Sequence, residues 1–460
     1  MPKINTKNPT KSSKSAKSTK SGTISHPHYG CAIGAGYTVA AIKGAVPICN
    51  CGPGCMYKQY FFMSFLNGFQ GSTGAGGGNT PSANVGENDV VFGGAKKLDA
   101  LIKSSLAVYD GDLFVVLTGC SGELVGDDVD SVVRKYRESG YPVVHAPVGG
   151  FKGTNLTGHE IVVKSIIDQY VGDYNGEKKQ GLINLWFEAP YFNTNWRGDY
   201  LELVRILRAA GLKVNVLFGP QSGGAKEWKN IPKAQFNLVV SPWLGLDIAK
   251  HLEQKYNQPY LHIPTIPIGE EATTEFIRKV VEFAGITPTK SEKFIKEESE
   301  LYYYFIDSFS DFFSEYWFGL PSRFAVVGDS AYTTAYTKFL ADQIGLVPVK
   351  QIITDNPPEK YRTALTEHFK NISEGVSTGV EFIEDGYLVE KSLDSADFGS
   401  SVPLILGSTW ESDVAKKKKA LLIEIAPPAS ERVVVNGSYI GYRGALNLVQ
   451  DIYTATVSGN

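Results

Sequence analysis

All five cysteines of the chain lie within its first 120 residues, and three of them, Cys31, Cys55 and Cys120, sit at the ends of apolar segments among glycines. Cys31 opens GCAIGAGYTVAAIKGAVP, Cys55 closes CNCGPGC ahead of a helix-like run, and Cys120 ends the strand-like LFVVLTGC. Thiolates presented from three separate turns read as a cradle for an iron-sulfur cluster. Binuclear and cubane clusters usually take about four cysteines and larger ones take more. Three per chain therefore leave a cluster unfinished, and the missing ligands are expected from a second polypeptide across an interface. Cys49 and Cys51 are further thiols beside Cys55, with Cys51 a candidate additional ligand. The competing reading is that these are buried free cysteines that only fill space. A disulfide framework is disfavoured, since such scaffolds are small, cysteine-dense and secreted.

The elements that must carry these thiols follow from the hydrophobic pattern. From about residue 110, short β-branched runs alternate with amphipathic stretches, the pattern of parallel sheets flanked by helices. LFVVLTG (113 to 119) and YPVVHAPV (141 to 148) read as strands, with a helix from Asp127 to Glu138 between them. A second block runs GLINLWFEA, KVNVLFG, FNLVVSP and PYLHIPT, with helices near 198 to 210, 245 to 256 and 270 to 284. A long aromatic helix, about 291 to 318, leads to a third block: RFAVVGDS, LVPVKQIIT, VEFIEDG, VPLILGS and LLIEIAP. The fold class implied is α/β, with three doubly wound parallel-sheet domains. The expected organisation is a disordered Lys/Ser-rich tail (1–22), a cluster-binding domain (23–175), a second α/β domain (176–289), a connecting helix (290–320) and a third α/β domain (321–460).

Other chemistries find little support. VVGDSAYTT has one glycine where a dinucleotide loop has three, so it reads as a strand-to-helix connection. GFQGSTGAGGGN (68 to 79) lacks the lysine and hydroxyl of a phosphate loop and reads as a surface loop. There is no HExxH or GxSxG, and the seven histidines are scattered, which leaves hydrolase and zinc-enzyme readings without a constellation. With 20% charged residues and a net charge of -3, nothing points to nucleic acid. No apolar stretch approaches the roughly 20 residues of a membrane span, and the first residues lack a secretory core. A cytoplasmic protein without a membrane partner is expected.

Together with further motifs, the three cysteines resemble component 1 of the nitrogenase superfamily, and within it the β-type subunit. The resemblance rests on YGCAIGAG (29 to 36), GPGCMYKQYF (52 to 61), ENDVVFGGAKKL (87 to 98), TGCSGELVGDDVDSV (118 to 132), IPTIPIGEEATTEFI (263 to 277) and YIGYRGALNLVQDIY (439 to 453). It implies three α/β domains and a homologous α-type partner in an α2β2 heterotetramer. It also implies that Cys31, Cys55 and Cys120 are ligands to a shared P-cluster-type centre. Electrons would come from an ATP-dependent iron protein and pass to a catalytic metallocluster in the partner chain. No cysteine follows Cys120, so this chain is not expected to hold that second group by thiolate. Phe92 in VVFGG matches a family position for docking the iron protein, against the alternative of a core residue before a helix. Glu123 and Asp127 fall in the turn beside the cluster, where they would tune it, or where Asp127 would cap the next helix.

The sequence departs from true nitrogenase β subunits at Asn50 and Cys51, where those usually carry histidine and glycine, and in APVGGFKG, which has no serine. The 68 to 79 loop is also unlike theirs. These differences favour a nitrogenase-like reductase such as the methylthio-alkane reductases, which cleave carbon-sulfur bonds. A true alternative-type nitrogenase reducing dinitrogen and a cofactor-assembly scaffold are the alternatives.

Overall fold

The structure, a computed structural model, describes residues 28–61, 80–316 and 321–458. The tail and the 68 to 79 loop assigned from sequence lie outside the described residues. Among the described residues, twelve strands form three sheets in which every pairing is parallel. The first sheet runs β1 (Ala45–Asn50), β2 (Leu113–Thr118), β3 (Val143–Pro147) in chain order. The second contains β4 (Lys179–Trp186), β5 (Lys213–Asn215), β6 (Ala234–Val239) and β7 (Tyr260–His262), ordered β5-β4-β6-β7. The third contains β8 (Arg323–Gly328), β9 (Val347–Ile353), β10 (Val380–Phe382), β11 (Leu404–Gly407) and β12 (Leu421–Glu424), ordered β10-β9-β8-β11-β12. In the second and third sheets the winding direction reverses at the first strand of the block, which opens a crevice beyond the carboxyl ends of the strands.

The strands read as apolar runs because both faces of each sheet are covered. All of Leu113–Thr118 is buried. Leu113, Val115 and Leu117 join the large core shared with the second and third sheets, whereas Phe114 and Val116 enter a separate cluster with Leu98, Ile102 and Val133. The third sheet repeats this alternation, with Phe324 and Val326 on the large core and Ala325 and Val327 on the other face.

Every strand expected from sequence is present, and one more, β1, was not read as a strand. Its apolar residues were absorbed into the preceding glycine motif, and Pro47 in its middle disguises it. The aromatic helix spans Thr289–Tyr316. The helix expected from Asp127 begins instead at Val129, with Asp128 as its cap, accepting from the Ser131 N–H at 3.1 Å. Among the described residues, no helix is long and apolar enough to cross a membrane.

Candidate metal centre

The carboxyl ends of the first sheet stand level, and that register assembles the site. Asn50 pairs with Thr118, and Thr118 with Pro147. The next backbone bonds, Gly119 N–H to Asn50 O and Val148 N–H to Thr118 O, carry the alignment into the loops. From β1 the chain turns through Cys51 and Gly52 into the helix Pro53–Phe61, which holds Cys55 in its first turn. From β2 it enters the helix Cys120–Val125, whose first residue is a thiol. From β3 it makes the Gly149-Gly150 turn. Cys31 arrives from the opposite direction, bridged to Thr154 and followed by a short 3-10 helix, Ala32–Ala35.

These four segments converge. A Cβ placed on Gly150 would lie 3.2 Å from Cys120 Sγ and 3.4 Å from Cys31 Sγ, so this glycine seats against both sulfurs. Its N–H donates to Cys120 Sγ at 3.0 Å. Cys31 and Cys55 together line a cavity of 260 Å³, closed by Gly30, Gly54, Tyr37, Lys58 and Phe192. Gly30 and Gly54 have only open space where a side chain would go. Cys31 is thus common to both contacts, sharing the cavity with Cys55 and the Gly150 seat with Cys120.

Glu123 explains how the Gly149-Gly150 turn is held. Its Oε1 accepts from Gly149 N–H at 2.6 Å, and its Oε2 pairs with Lys152 Nζ at 2.6 Å. The carboxylate thereby fixes the neighbouring amide that donates to Cys120. Asp127, by contrast, caps nothing in the following helix. Its Oδ1 accepts from Gly94 N–H at 2.9 Å, tying the turn after Cys120 to the end of the helix Glu87–Phe92. Cap geometry favours Asp128 because it stands next to the first helical residue, while Asp127 is close enough to Gly94 to touch any Cβ there.

Phe92 ends that helix 84% exposed, beside Val91 at 70%. The core alternative for Phe92 therefore does not hold. The helix is pinned beneath it: Asp89 accepts from Gly86 N–H and from Lys97 Nζ, and Lys97 also donates to Asn84 O. Its exposed apolar end is a rigid projection close to the thiol-bearing turns.

Cys49, in β1, and Cys51, in the turn that follows it, are both buried. Cys51 lies against both Cys49 and Cys55; the contact with Cys49 pushes the Cys51 thiol up, the contact with Cys51 pushes the Cys55 thiol up, and burial adds to both. Burial raises Cys31. Thiols held so would release protons on binding a metal. Among the described residues no three His, Cys, Asp or Glu side chains are arranged around a single metal ion. The donor set suits part of a polynuclear sulfur-bridged group: three thiols, an amide directed at one sulfur, and an opening lined by glycine where bulk would intrude.

The family of nitrogenase component 1 type oxidoreductases matches residues 31–456. The chain belongs to this family. It is 25% identical over 452 residues to the nitrogenase molybdenum-iron protein β chain of Clostridium pasteurianum, covering 91% of this chain and 90% of that one. It is 24% identical to the nitrogenase vanadium-iron protein β chain of Trichormus variabilis, covering 93% of each. It is 26% identical to the nitrogenase iron-molybdenum cofactor biosynthesis protein NifE of Methanococcus maripaludis, covering 82% of this chain and 73% of that one. In three dimensions it superposes on a structure titled nitrogenase Cp1 at pH 6.5 with a TM-score of 0.78, at 22% identity, covering 95% and 94% of the two chains. The three-sheet α/β fold is therefore the nitrogenase component 1 fold.

A second crevice of this nitrogenase-family fold lies where the carboxyl ends of the second and third sheets meet, and it is closed. Glu188 follows β4, Trp243 follows β6, Asp329 follows β8 and Asp355 follows β9, leaving a cavity of about 20 Å³. Tyr332 Oη donates to Asp199 at 2.6 Å and to Glu188 at 3.2 Å, while Asn193 donates to both. Ser330 and Trp243 donate to Asp355. Burial raises all four carboxyls above their ordinary range.

Sequence reasoning missed Lys58, Gly150, Tyr37 and Phe192 at the thiol site. A signal existed for Lys58, which stands three residues after Cys55 and so falls on the same face of one helix. Phe192 comes from beyond β4, and nothing local in the sequence places it against Tyr37, 5.5 Å between ring centroids.

Proposed function

We propose that the chain is the β-type subunit of a nitrogenase-like two-component reductase. In this reading Cys31, Cys55 and Cys120 hold half of a P-cluster-type iron-sulfur centre, shared with a homologous α-type subunit in an α2β2 heterotetramer. That centre, when bound, supplies an electron relay between an ATP-dependent iron protein and the catalytic metallocluster of the α-type subunit. The observation that carries the reading is the convergence of three thiols from separate loops, Cys31 and Cys55 on one glycine-lined opening and Cys120 beside Cys31 across Gly150. Gly150 shapes the end of Cys120 by its amide, Glu123 holds Gly150 in place, and Phe92 offers the docking contact for the iron protein. Cys51, in hydrogen-bonding contact with Cys55, is the additional ligand candidate.

The reaction proposed is reductive carbon-sulfur cleavage of small methyl thioethers. Support comes from Asn50, Cys51 and the serine-free turn 146–153, which alter the hydrogen bonding and thiolate supply around the relay. The test is to produce the chain with its α-type partner, add iron protein, ATP and a low-potential donor, and offer a methyl thioether and dinitrogen side by side. Methanethiol and hydrocarbon without ammonia are expected. Ammonia without thiol release would overturn the substrate assignment in favour of a true nitrogenase. A second reading, a cofactor-assembly scaffold, is favoured by the likeness to NifE. It predicts iron in the complex, delivery of a cluster to an acceptor protein, and no turnover of either substrate.

A further inference from the structure

We propose that Lys58 is the counter-cation of the thiol site, a positioning residue that raises the reduction potential of the group bound there. The inference rests on the iron-sulfur reading above and adds a residue to it.

The geometry is local and simple. Cys55 and Lys58 are three residues apart on the helix Pro53–Phe61, so both project from one face of it. Lys58 lines the same cavity as Cys31 and Cys55. Lys152, on the turn after β3, has its charge taken up by Glu123 at 2.6 Å. Among the described residues, Lys58 has no carboxylate partner and no hydrogen bond of its own. Lys152 is thus neutralised by Glu123, and Asp127 is engaged with Gly94 in the turn after Cys120, whereas Lys58 brings an ammonium into the cavity of Cys31 and Cys55.

An unpaired lysine on a surface is ordinary, because it is well hydrated there. This one is placed at an opening expected to face a partner subunit, which would displace its water. Three thiolates bring three negative charges to the same site, and each electron accepted adds another. A cation there stabilises the reduced form over the oxidised form, so its removal lowers the potential. Lysine acts here as a compact charge on a flexible stem, suited to following a group whose charge changes.

The test uses the complex of this chain with its α-type partner, in wild-type form and as Lys58→Met, Lys58→Arg and Lys58→Glu. Iron content is measured first, then the midpoint potential by spectroscopically monitored redox titration. Lys58→Met should shift the ratio of reduced to oxidised centre about fivefold at a fixed potential, about 40 mV downward for a one-electron couple. Lys58→Glu should shift it further in the same direction, and Lys58→Arg should keep the wild-type value. A wild-type complex without an iron-sulfur centre would overturn the underlying reading, and this proposal with it. A full centre in every variant with an unmoved potential would overturn the role of Lys58 alone.

Discussion

The molecule has two crevices built by the same rule, at the carboxyl ends of parallel strands, and they are finished in opposite ways. At the end of the first sheet, glycines line the wall, Cys31 and Cys55 face an opening of 260 Å³ with Cys120 beside Cys31 across Gly150, and apolar Phe92 stands exposed nearby. Between the second and third sheets, aromatic rings and carboxyls close the space to about 20 Å³, and the carboxyls are held by Tyr332, Asn193, Trp243 and Ser330. The fold supplies both crevices, while the side chains decide which stays available for a ligand. In this chain the open one holds sulfur donors, and the other is spent on joining two sheets.

The largest effect should come from removing a thiol at the open end. Cys120→Ala deletes a sulfur that receives the Gly150 amide and lies against the same glycine as Cys31. In the complex with its partner, iron should fall to a small fraction of wild type, and Cys31→Ala and Cys55→Ala should behave alike. Measured iron and the visible spectrum report it. Normal iron in Cys120→Ala would sink the ligand assignment.

At the closed end the same kind of truncation should cost stability and leave iron alone. Tyr332→Phe takes a donor from both Asp199 and Glu188 in a site without water access. The buried acceptors keep Asn193 but lose one donor, at a cost of about 1 kcal/mol. The urea midpoint should drop, with iron per folded complex unchanged. A drop in iron equal to that of Cys120→Ala would show that the two crevices are not separate in function.

How far the sequence exposed this contrast depends on which interactions are local. The strands were legible because sheets buried on both faces leave continuous apolar runs, as in LFVVLT. Cys31, Cys55 and Cys120 were legible as a group because each stands at the end of such a run beside glycine. The closed crevice was not, since Glu188, Asp199, Asp329 and Asp355 are far apart in the chain and meet only after two sheets have packed. Buried Asn184, Asn215 and Asn237 were hidden similarly: each sits in a strand, and they satisfy one another only across the ladder. Asp127 and Asp128 show the limit on a finer scale. The pair signals a helix start, but which of the two caps it is fixed by the position of Gly94, some thirty residues earlier.

Phe92 tests whether the open end is also the place where a partner arrives. Phe92→Ala should leave the fold and iron content intact, because the side chain is almost fully exposed. Electron delivery should weaken by about 2 kcal/mol in apparent affinity for the iron protein, as expected for an aromatic anchor. Turnover at limiting iron protein is the measurement, and an unchanged dependence would remove Phe92 from the docking surface.

The interior also offers a pH test. Glu160, on the helix Asn155–Ile166, accepts from Gly245 N–H at 3.0 Å and is pushed up to about 7 by burial. In the unfolded chain it titrates near about 4.3. Between these values the folded chain keeps a proton that the unfolded chain has lost, so stability falls as pH rises and levels off above about 7. One such group contributes at most about 1.4 kcal/mol per pH unit. Glu160→Gln keeps the acceptor and removes the titration, so unfolding midpoints measured at steps from pH 5 to pH 7 should decline less steeply than in wild type. An unaltered slope would mean that Glu160 is ionised in the folded chain.

The smallest effect expected is at Cys49, which divides the cysteines themselves along the same line. Cys49 is fully buried in the large core, and its backbone is bonded on both sides to the segment at Pro81 and Ala83. It is near the thiol site through Cys51, yet it does not line the opening that Cys31 and Cys55 share. Cys49→Ala should therefore behave as a core truncation, lowering stability by about 1 kcal/mol while the complex retains its iron. Cys51→Ala is the informative comparison, because Cys51 contacts both the core thiol and Cys55. Iron loss in Cys51→Ala with full retention in Cys49→Ala would place the boundary between ligand and core between these two residues. Iron loss in Cys49→Ala would move that boundary into β1 and contradict the division drawn from burial.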